Sequence, residues 1–104
     1  MKETFKEPTS YFKHSNRPTR VILVTCPDNK FYFGLTKDRM KDSVSETLKK
    51  NETSLSLHCQ KEKFQLKDLT IKEYQKFGSR LRATQFKESC INRFKNNKNL
   101  LNKV

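Results

Sequence analysis

One carboxylate of this chain falls among apolar side chains, at a position where it could do chemistry. The stretch from residue 70 onwards predicts a helix with one apolar face, formed at 100° per residue by Tyr74, Phe77, Leu81, Thr84 and Ile91. Glu88 lands on that face. Because burying an unpaired carboxylate costs several kcal/mol, Glu88 must reach the edge of the face, pair with a cation, or hold a metal ion or water. The edge or ion-paired reading is the more common for such residues.

The cysteines and histidines are the other residues that could bind a metal. Cys26, Cys59 and Cys90 form no Cys-x-x-Cys pair, and only His14 and His58 could join them. His58 and Cys59 are neighbours, and in a strand they would point to opposite faces. The spacing therefore speaks against a zinc site and predicts free, buried thiols in a reducing compartment.

Basic side chains are the most abundant chemical feature of the sequence. There are 23 Lys and Arg against 11 Asp and Glu, a formal net charge of +12, and residues 71–104 hold nine basic side chains against two acidic ones. A charge this far from zero repels itself in the folded state, so a partner that neutralises it is expected. The clustering favours a polyanion over a general lysine bias. Nucleic acid, above all DNA, is the expected partner.

Length and composition limit the organisation of the chain. With 104 residues, of which 33% are hydrophobic, one domain with a thin, aromatic-rich core is expected. Residues 1–19 show no sustained period and predict a partly ordered arm, which leaves residues 20–104 as the single domain. No apolar stretch approaches the ~20 residues of a membrane span, and the N-terminus lacks the apolar run of a secretory signal. We expect a cytoplasmic protein without a membrane partner.

Two apolar runs separated by turn residues predict a β-hairpin at the start of the domain. Residues 20–25 are β-branched and almost wholly apolar, which is typical of a buried strand. Residues 27–30 supply turn chemistry, and residues 31–35 form the second strand. A helix follows, because Met40, Val44 and Leu48 recur at four-residue spacing.

The bounds of that helix and the elements after it come from weaker signals. Thr36 or Asp38 can cap the helix, which is expected to end at about Lys50.

Residues 51–60 are left open, since Leu55 and Leu57 alternate in a short polar segment, whereas the clearer alternation of residues 64–69 predicts a third strand. Thr70 can cap a long final helix, loosened at its end by the Asn-rich residues 96–99. The expected fold is α+β: hairpin, helix, third strand and long C-terminal helix.

This order of elements, with a Tyr-x-Gly in the second strand, resembles the GIY-YIG nuclease domain. The similarity spans about residues 20–102. The segments that carry it are residues 21–25 and 29–38 in the hairpin, residues 64–69 at the third strand, and residues 82–91 with 101–102 at the final helix and a closing Asn.

The resemblance implies a set of site residues. In that family a Tyr in each hairpin strand, an Arg on the first helix and a Glu on the last helix hydrolyse phosphodiesters with one divalent metal. Tyr32 stands at the second Tyr and Glu88 near the metal-binding Glu, although a shift of one residue would put Lys87 there. A carboxylate oxygen suits a hard ion, so Mg²⁺ is the implied cofactor if the chain is active. Read without the family, Tyr32 is an ordinary aromatic of a half-buried strand.

Two positions depart from the family pattern. Ile22 or Leu23 replaces the first-strand Tyr, and Asp42 replaces the helix Arg. An aspartate beside a phosphate reverses the sign of the interaction that stabilises the transition state. The resemblance and its departures together predict a catalytically degenerate member.

We therefore expect a basic nucleic-acid-binding module that is GIY-YIG-like and has lost efficient hydrolysis. Two alternatives remain open: an active divalent-metal DNA endonuclease that uses Tyr32 and Glu88, and a small protein-binding regulator or inhibitor of a nucleic-acid enzyme. The expected phosphate contacts are Lys37, Arg39 and Lys41 after the hairpin, and Arg80, Arg82, Lys87, Arg93 and Lys95 on the last helix.

Overall fold

The computed structural model describes residues 18–37 and 39–103, so most of the arm expected over residues 1–19 lies outside the described residues. The architecture is the predicted α+β one: a hairpin, helices, a third strand and a long C-terminal helix. The elements are β1 (Thr19–Thr25), β2 (Phe31–Thr36), α1 (Met40–Lys49), α2 (Ser54–Glu62), a 3₁₀ turn (Leu66–Asp68), β3 (Thr70–Phe77) and α3 (Arg80–Arg93).

The three strands form an antiparallel sheet in the order β2-β1-β3. The hairpin turn is closed by a hydrogen bond of 2.9 Å from the backbone N–H of Asn29 to the carbonyl of Cys26. Asn29 has a φ of 69°, a left-handed conformation that asparagine tolerates better than most residues. The predicted hairpin is confirmed, and β1 begins one residue earlier than expected, at Thr19.

Both faces of the sheet are covered by helices, which explains why β1 is apolar from Val21 to Val24. Ile22 and Val24 of β1 pack with Val44 of α1 and Leu55 of α2 on one face. On the other face a second cluster joins the sheet to α3, and its buried members are Val21, Phe33, Ala83 and Cys90. A central strand that is covered on both sides favours a continuous apolar run over an alternating pattern.

Helix α1 occupies the predicted position, but its start differs from the prediction. The N-cap residue is Arg39, which makes no side-chain capping bond, and the C-cap is Lys50. Thr36 is not the cap, because it is the last residue of β2 and is buried there. Asp38, the other candidate, lies outside the described residues.

The third strand is formed by Thr70–Phe77. The sequence predicted that these residues begin the final helix, and that prediction was wrong. Most of its side chains are exposed, so an apolar alternation could not mark it. Pairing along β1 and an ion pair of 3.2 Å between Arg20 Nε and Glu73 Oε1 hold it in place. Tertiary pairing has overridden weak local β-propensity, as is common for edge strands.

The segment 64–69 is not a strand, contrary to its prediction. Phe64, Leu66 and Leu69 are partly buried against the α1–α2 side of the core, which accounts for their alternation. Their backbone is instead turned locally, because the Asp68 carboxylate accepts a hydrogen bond of 2.8 Å from the N–H of Gln65.

The segment left open, residues 51–60, contains the start of helix α2. Thr53 caps the helix: its hydroxyl accepts a hydrogen bond of 3.1 Å from the N–H of Ser56, and the Ser56 hydroxyl accepts one from the N–H of Thr53. This reciprocal capping box fixes the direction in which the helix begins.

The final helix begins at Arg80 rather than after Thr70, so the predicted apolar face was wrong. Ser79 is the N-cap, and its hydroxyl accepts a hydrogen bond of 3.1 Å from the N–H of Arg82. Tyr74 and Phe77 belong to β3, and Leu81 is 69% exposed. The residues that α3 buries are Ala83 and Cys90.

The chain after α3 returns to the hairpin and covers the outer edge of β2. The N–H of Phe31 donates to the carbonyl of Asn99 over 2.9 Å, and the N–H of Leu101 donates to the carbonyl of Phe31 over 2.8 Å. The side-chain amide of Asn102 makes two further bonds to the backbone of Phe33, accepting from its N–H at 2.8 Å and donating to its carbonyl at 2.9 Å. The C-terminal segment is thereby fixed beside Tyr32.

Candidate functional site

Tyr32 and Glu88, the two residues singled out in the sequence as catalytic, line one open groove. Its volume is about 600 Å³. Tyr32 is the second residue of β2, where it lies opposite Val24, and Glu88 comes from the third turn of α3. Glu88 is exposed, so it lies at the rim and needs no buried partner. This is the edge position expected for a carboxylate that needs no partner.

Lys87 is more closely associated with Tyr32 than Glu88 is. Both Lys87 and Tyr32 line the groove, and both also line a small pocket of about 100 Å³ on the α1–α2 face of the sheet. Ile22 and Gly34 line that same pocket, whereas Glu88 does not. Burial raises the pKa of the Tyr32 phenol, so this hydroxyl stays protonated and can donate a hydrogen bond at neutral pH.

The start of helix α2 forms another wall of the groove. Thr53 and Ser54, its N-cap and first residue, line the cavity together with Glu52. The first backbone N–H groups of a helix have no partner within the helix, and the helix dipole gives this end a partial positive charge. The wall can therefore receive an anion, although Glu52 opposes one.

Lys103 lines the groove opposite these groups, in the segment that Asn102 ties to β2. Sequence reasoning did not select it, nor the start of α2. Lys103 directly follows the Asn that carries the family resemblance, which is a signal that could have found it. The capping box Thr53-x-x-Ser56 could likewise have located the helix start.

Asp42 and Ile22 occupy the two positions that depart from the family pattern. Asp42 lines a neighbouring cavity with Arg39, and this cavity meets the groove at Glu52 and Thr53. Ile22 is buried and lines the small pocket next to Tyr32. The side chain at position 42 is therefore an acidic one that faces the neighbouring cavity, and position 22 places an aliphatic side chain, not a phenol, beside Tyr32.

The remaining basic residues expected to contact phosphate are exposed but are not gathered at the groove. Arg82 and Arg93 lie about 120–140° around α3 from Lys87 at 3.6 residues per turn. Lys41 lines a third cavity, with Met40 and Lys67. The exposed cations expected as contacts that do not line the groove are Lys37, Arg39, Lys41, Arg80, Arg82, Arg93 and Lys95.

A second cluster of chemical groups lies at the hairpin turn. One ligand atom from each of Cys26, Asp28 and His58 lies within 4.8 Å of the others. His58 Nε2 and Asp28 Oδ2 are 2.8 Å apart. Sequence reasoning placed His58 and Cys59 in a possible strand and so missed the cluster. The cluster forms because His58 lies in α2, beside the hairpin turn.

Protonation in this cluster follows from burial and hydrogen bonding. Burial, followed by the charges of Cys59 and Asp28, raises the pKa of the Cys26 thiol from 9.0 to about 12, and burial also raises the pKa of Cys59. For Asp28, desolvation acts to raise the pKa, but hydrogen bonds from His58 and from the N–H of Lys30 lower it below its usual value. The free protein therefore holds neutral thiols beside a carboxylate. All three cysteines are free and buried, as the sequence predicted.

Comparisons with known proteins give no relative for either site. The chain matches no protein-family model, no curated protein sequence and no solved structure. Among the described residues, no helix has the length and apolar character needed to cross a membrane.

Proposed function

We propose that the protein binds the phosphate backbone of nucleic acid, most readily DNA, through the groove beside Tyr32, as a catalytically degenerate GIY-YIG-like module. The observation that carries this proposal is the shared position of Lys87 and Tyr32 in the groove and in the small pocket next to it. A lysine ammonium and a protonated phenol are both donors to phosphate oxygens. Lys87 is partly buried, and a charge near the protein surface interacts more strongly with a phosphate than a charge in bulk water does.

Two further features support a phosphate at this place. Lys103 and the start of α2 add positive potential to the same groove. Glu52 and Glu88 offset the charges of the two lysines. The groove therefore distinguishes ligands by the positions of their phosphates more than by their total charge. The excess charge of the whole chain supplies the long-range attraction, and the groove then positions the backbone.

The same residues argue against efficient hydrolysis. Lys87 lines both of the cavities that Tyr32 lines. In the groove it places a cation near Glu88, and this charge disfavours a divalent ion on that carboxylate. Asp42 adds a negative charge to the adjoining cavity, where it would oppose the charge that builds up on a phosphate in the transition state. Binding without turnover is the function that fits both changes.

Salt-dependent binding tests this function. We expect the full chain to bind a labelled DNA duplex with little sequence preference and a log–log salt slope near −4 to −5, from about five phosphate contacts at roughly −0.9 each, two of them at Lys87 and Lys103 and the rest at exposed cations outside the groove. Lys87→Gln should weaken binding and reduce the slope by about 1, whereas Lys67→Gln, at a cavity that shares no residue with the groove, should change neither as much. A flat salt response, or equal losses in both variants, would contradict the proposal. With no affinity at moderate salt, a protein-binding regulator becomes the better reading.

An active endonuclease is the second candidate, because Tyr32 and Glu88 do line one groove. Glu88 would then hold the ion, and Mg²⁺ would supply charge neutralisation on the phosphate. Plasmid nicking in Mg²⁺ separates the candidates: we expect negligible nicking by wild type and a gain, if any, only in Asp42→Arg or in Asp42→Arg combined with Ile22→Tyr. Robust wild-type nicking that disappears in Glu88→Ala would establish the nuclease instead.

We further propose a cytoplasmic location. Three free, buried thiols are the state that a reducing compartment maintains. Labelling of the tagged chain in cell fractions checks this directly.

A further inference from the structure

The cluster at the hairpin turn draws its groups from two elements that the fold holds together. Cys26 and Asp28 belong to the turn between β1 and β2, and His58 lies in the middle of α2. Cys26 is packed in the same buried cluster as Cys59, so the end of the hairpin is fixed against the helix. The His58 ring is held against Phe64, with their centroids 5.9 Å apart. These groups are therefore positioned by packing before any ligand arrives.

We propose that Cys26, Asp28 and His58 bind a divalent transition-metal ion of the zinc type. Cysteine sulfur, imidazole nitrogen and carboxylate oxygen are the three donor types that Zn²⁺ accepts. Sulfur and imidazole select such an ion over Mg²⁺ or Ca²⁺, which prefer oxygen alone. The site is independent of the groove, since none of its three residues lines that cavity.

The distances suit an ion with little movement. With bonds of about 2.0–2.3 Å to nitrogen, oxygen and sulfur, ligand atoms around a tetrahedral zinc are roughly 3.3–3.8 Å apart. The three donor atoms already lie within 4.8 Å of one another. The pair His58 Nε2 and Asp28 Oδ2, now at 2.8 Å, needs to open by about 0.5 Å, and the contacts to sulfur need to close by up to about 1.3 Å.

A backbone N–H orients the Asp28 carboxylate, and the site is open to a fourth ligand from solvent. Asp28 Oδ1 accepts a hydrogen bond of 3.3 Å from the N–H of Lys30, which orients Oδ2 towards the cluster. A water molecule can serve as the fourth ligand, as it does in open zinc sites. Asp28 is partly exposed, with 31% of its side chain accessible, so an ion can enter from solvent.

The competing explanation is a plain hydrogen-bonded pair of Asp28 and His58 that ties the turn to α2. Such a pair needs neither Cys26 nor a metal. The two explanations therefore differ in the role of the sulfur, and a cobalt titration reports on sulfur directly.

Titration of the untagged full chain with Co²⁺ under reducing conditions is the test. We expect one ion per chain and the near-ultraviolet charge-transfer absorption that signals a cobalt–sulfur bond, and we expect Zn²⁺ to displace the cobalt. Cys26→Ser and Asp28→Asn should each weaken binding more than about tenfold, because even outer-shell partners of metal ligands contribute about 10–100-fold. Cys90→Ser removes a buried thiol from the other face of the sheet and should bind as wild type does.

A thermal melt keeps the test decisive if a buried substitution weakens the fold. An ion that binds only the folded chain raises the melting temperature, so Zn²⁺ should stabilise the wild type and Cys90→Ser but not Asp28→Asn, whose change lies on an exposed turn. Absence of the cobalt–sulfur absorption in folded wild-type protein would overturn the proposal, as would an equal loss of binding in Cys90→Ser.

Discussion

The groove beside Tyr32 and the cluster at Cys26 are positioned by the same hairpin, but they are built in different ways. The groove is assembled from four segments: β2, the start of α2, helix α3 and the C-terminal residues. The cluster needs only the hairpin turn and one turn of α2. The groove is open and lined by side chains of both charges and by hydroxyls, whereas the cluster is compact and contains sulfur and imidazole donors. A site made from many segments depends on the whole fold, and a site made from two adjacent segments tolerates loosening elsewhere.

Removing the centre of the core should abolish both sites and gives the largest expected effect. Phe33 is 1% exposed and contacts Phe31, Tyr74 and Phe94 through its ring. Phe33→Ala should lower the free energy of unfolding by about 3–5 kcal/mol, measured by urea denaturation. Leu81→Ala is the control. Its side chain was expected in the core but is exposed, so a change beyond about 0.5 kcal/mol would contradict the structure.

Releasing the C-terminal segment should separate the two sites. Asn102→Ala removes both side-chain hydrogen bonds to the Phe33 backbone, and we expect a loss of about 1–3 kcal/mol in stability. DNA affinity should fall because Lys103 is no longer held at the groove, while cobalt binding should persist. Asn92→Ala changes the same side chain at the same groove without cutting the tie and is the matched control. Parallel loss of both activities in Asn102→Ala would show that the sites are not independent.

The loss of stability at alkaline pH should differ between variants of the two sites, and this effect is smaller than the previous two. A group whose pKa is raised on folding favours the folded state below its unfolded pKa, and this contribution is lost as the pH rises through the folded value. For Cys26 that window runs from about pH 9 towards 12 in metal-free protein. Unfolding midpoints of Cys26→Ser should therefore fall less steeply above pH 9 than those of wild type. Tyr32→Phe should reduce the fall only above about pH 10, since burial raises the pKa of that phenol.

The hairpin and α1 could be predicted from the sequence because their signals are local. The apolar run of β1 and the four-residue spacing around Val44 reflect burial within one strand and one helix. The turn around Asn29 is indicated by residues that favour turn conformations. The segment 64–77 could not be read this way. Phe64 and Leu69 alternate because they pack on a core, and β3 is exposed because it lies at an edge. Contacts between residues distant in sequence decide which segment pairs with β1, and the local hydrophobic pattern does not indicate them.

The candidate sites were predictable to a similar extent. Tyr32 and Glu88 were selected from a family resemblance, and the fold does bring them to one groove. The sequence could not decide whether Lys87 or Glu88 stands at the position of the family's metal-binding Glu, because an alignment shift of one residue exchanges them. Lys103 and the Cys26–His58 cluster were missed because they depend on the path of the C-terminal segment and on the helical state of α2, for which the sequence offers only a closing Asn and a capping box.

Chemical-shift mapping of a ¹⁵N-labelled chain with a short DNA duplex is the most direct measurement of where nucleic acid binds. We expect the largest changes at the amides of Tyr32, Thr53, Lys87 and Lys103, which surround the groove, and small changes at Asp28 and Lys67. Saturating shifts that leave the groove unchanged and map elsewhere, for example to the exposed face of β3, would contradict the proposed interface.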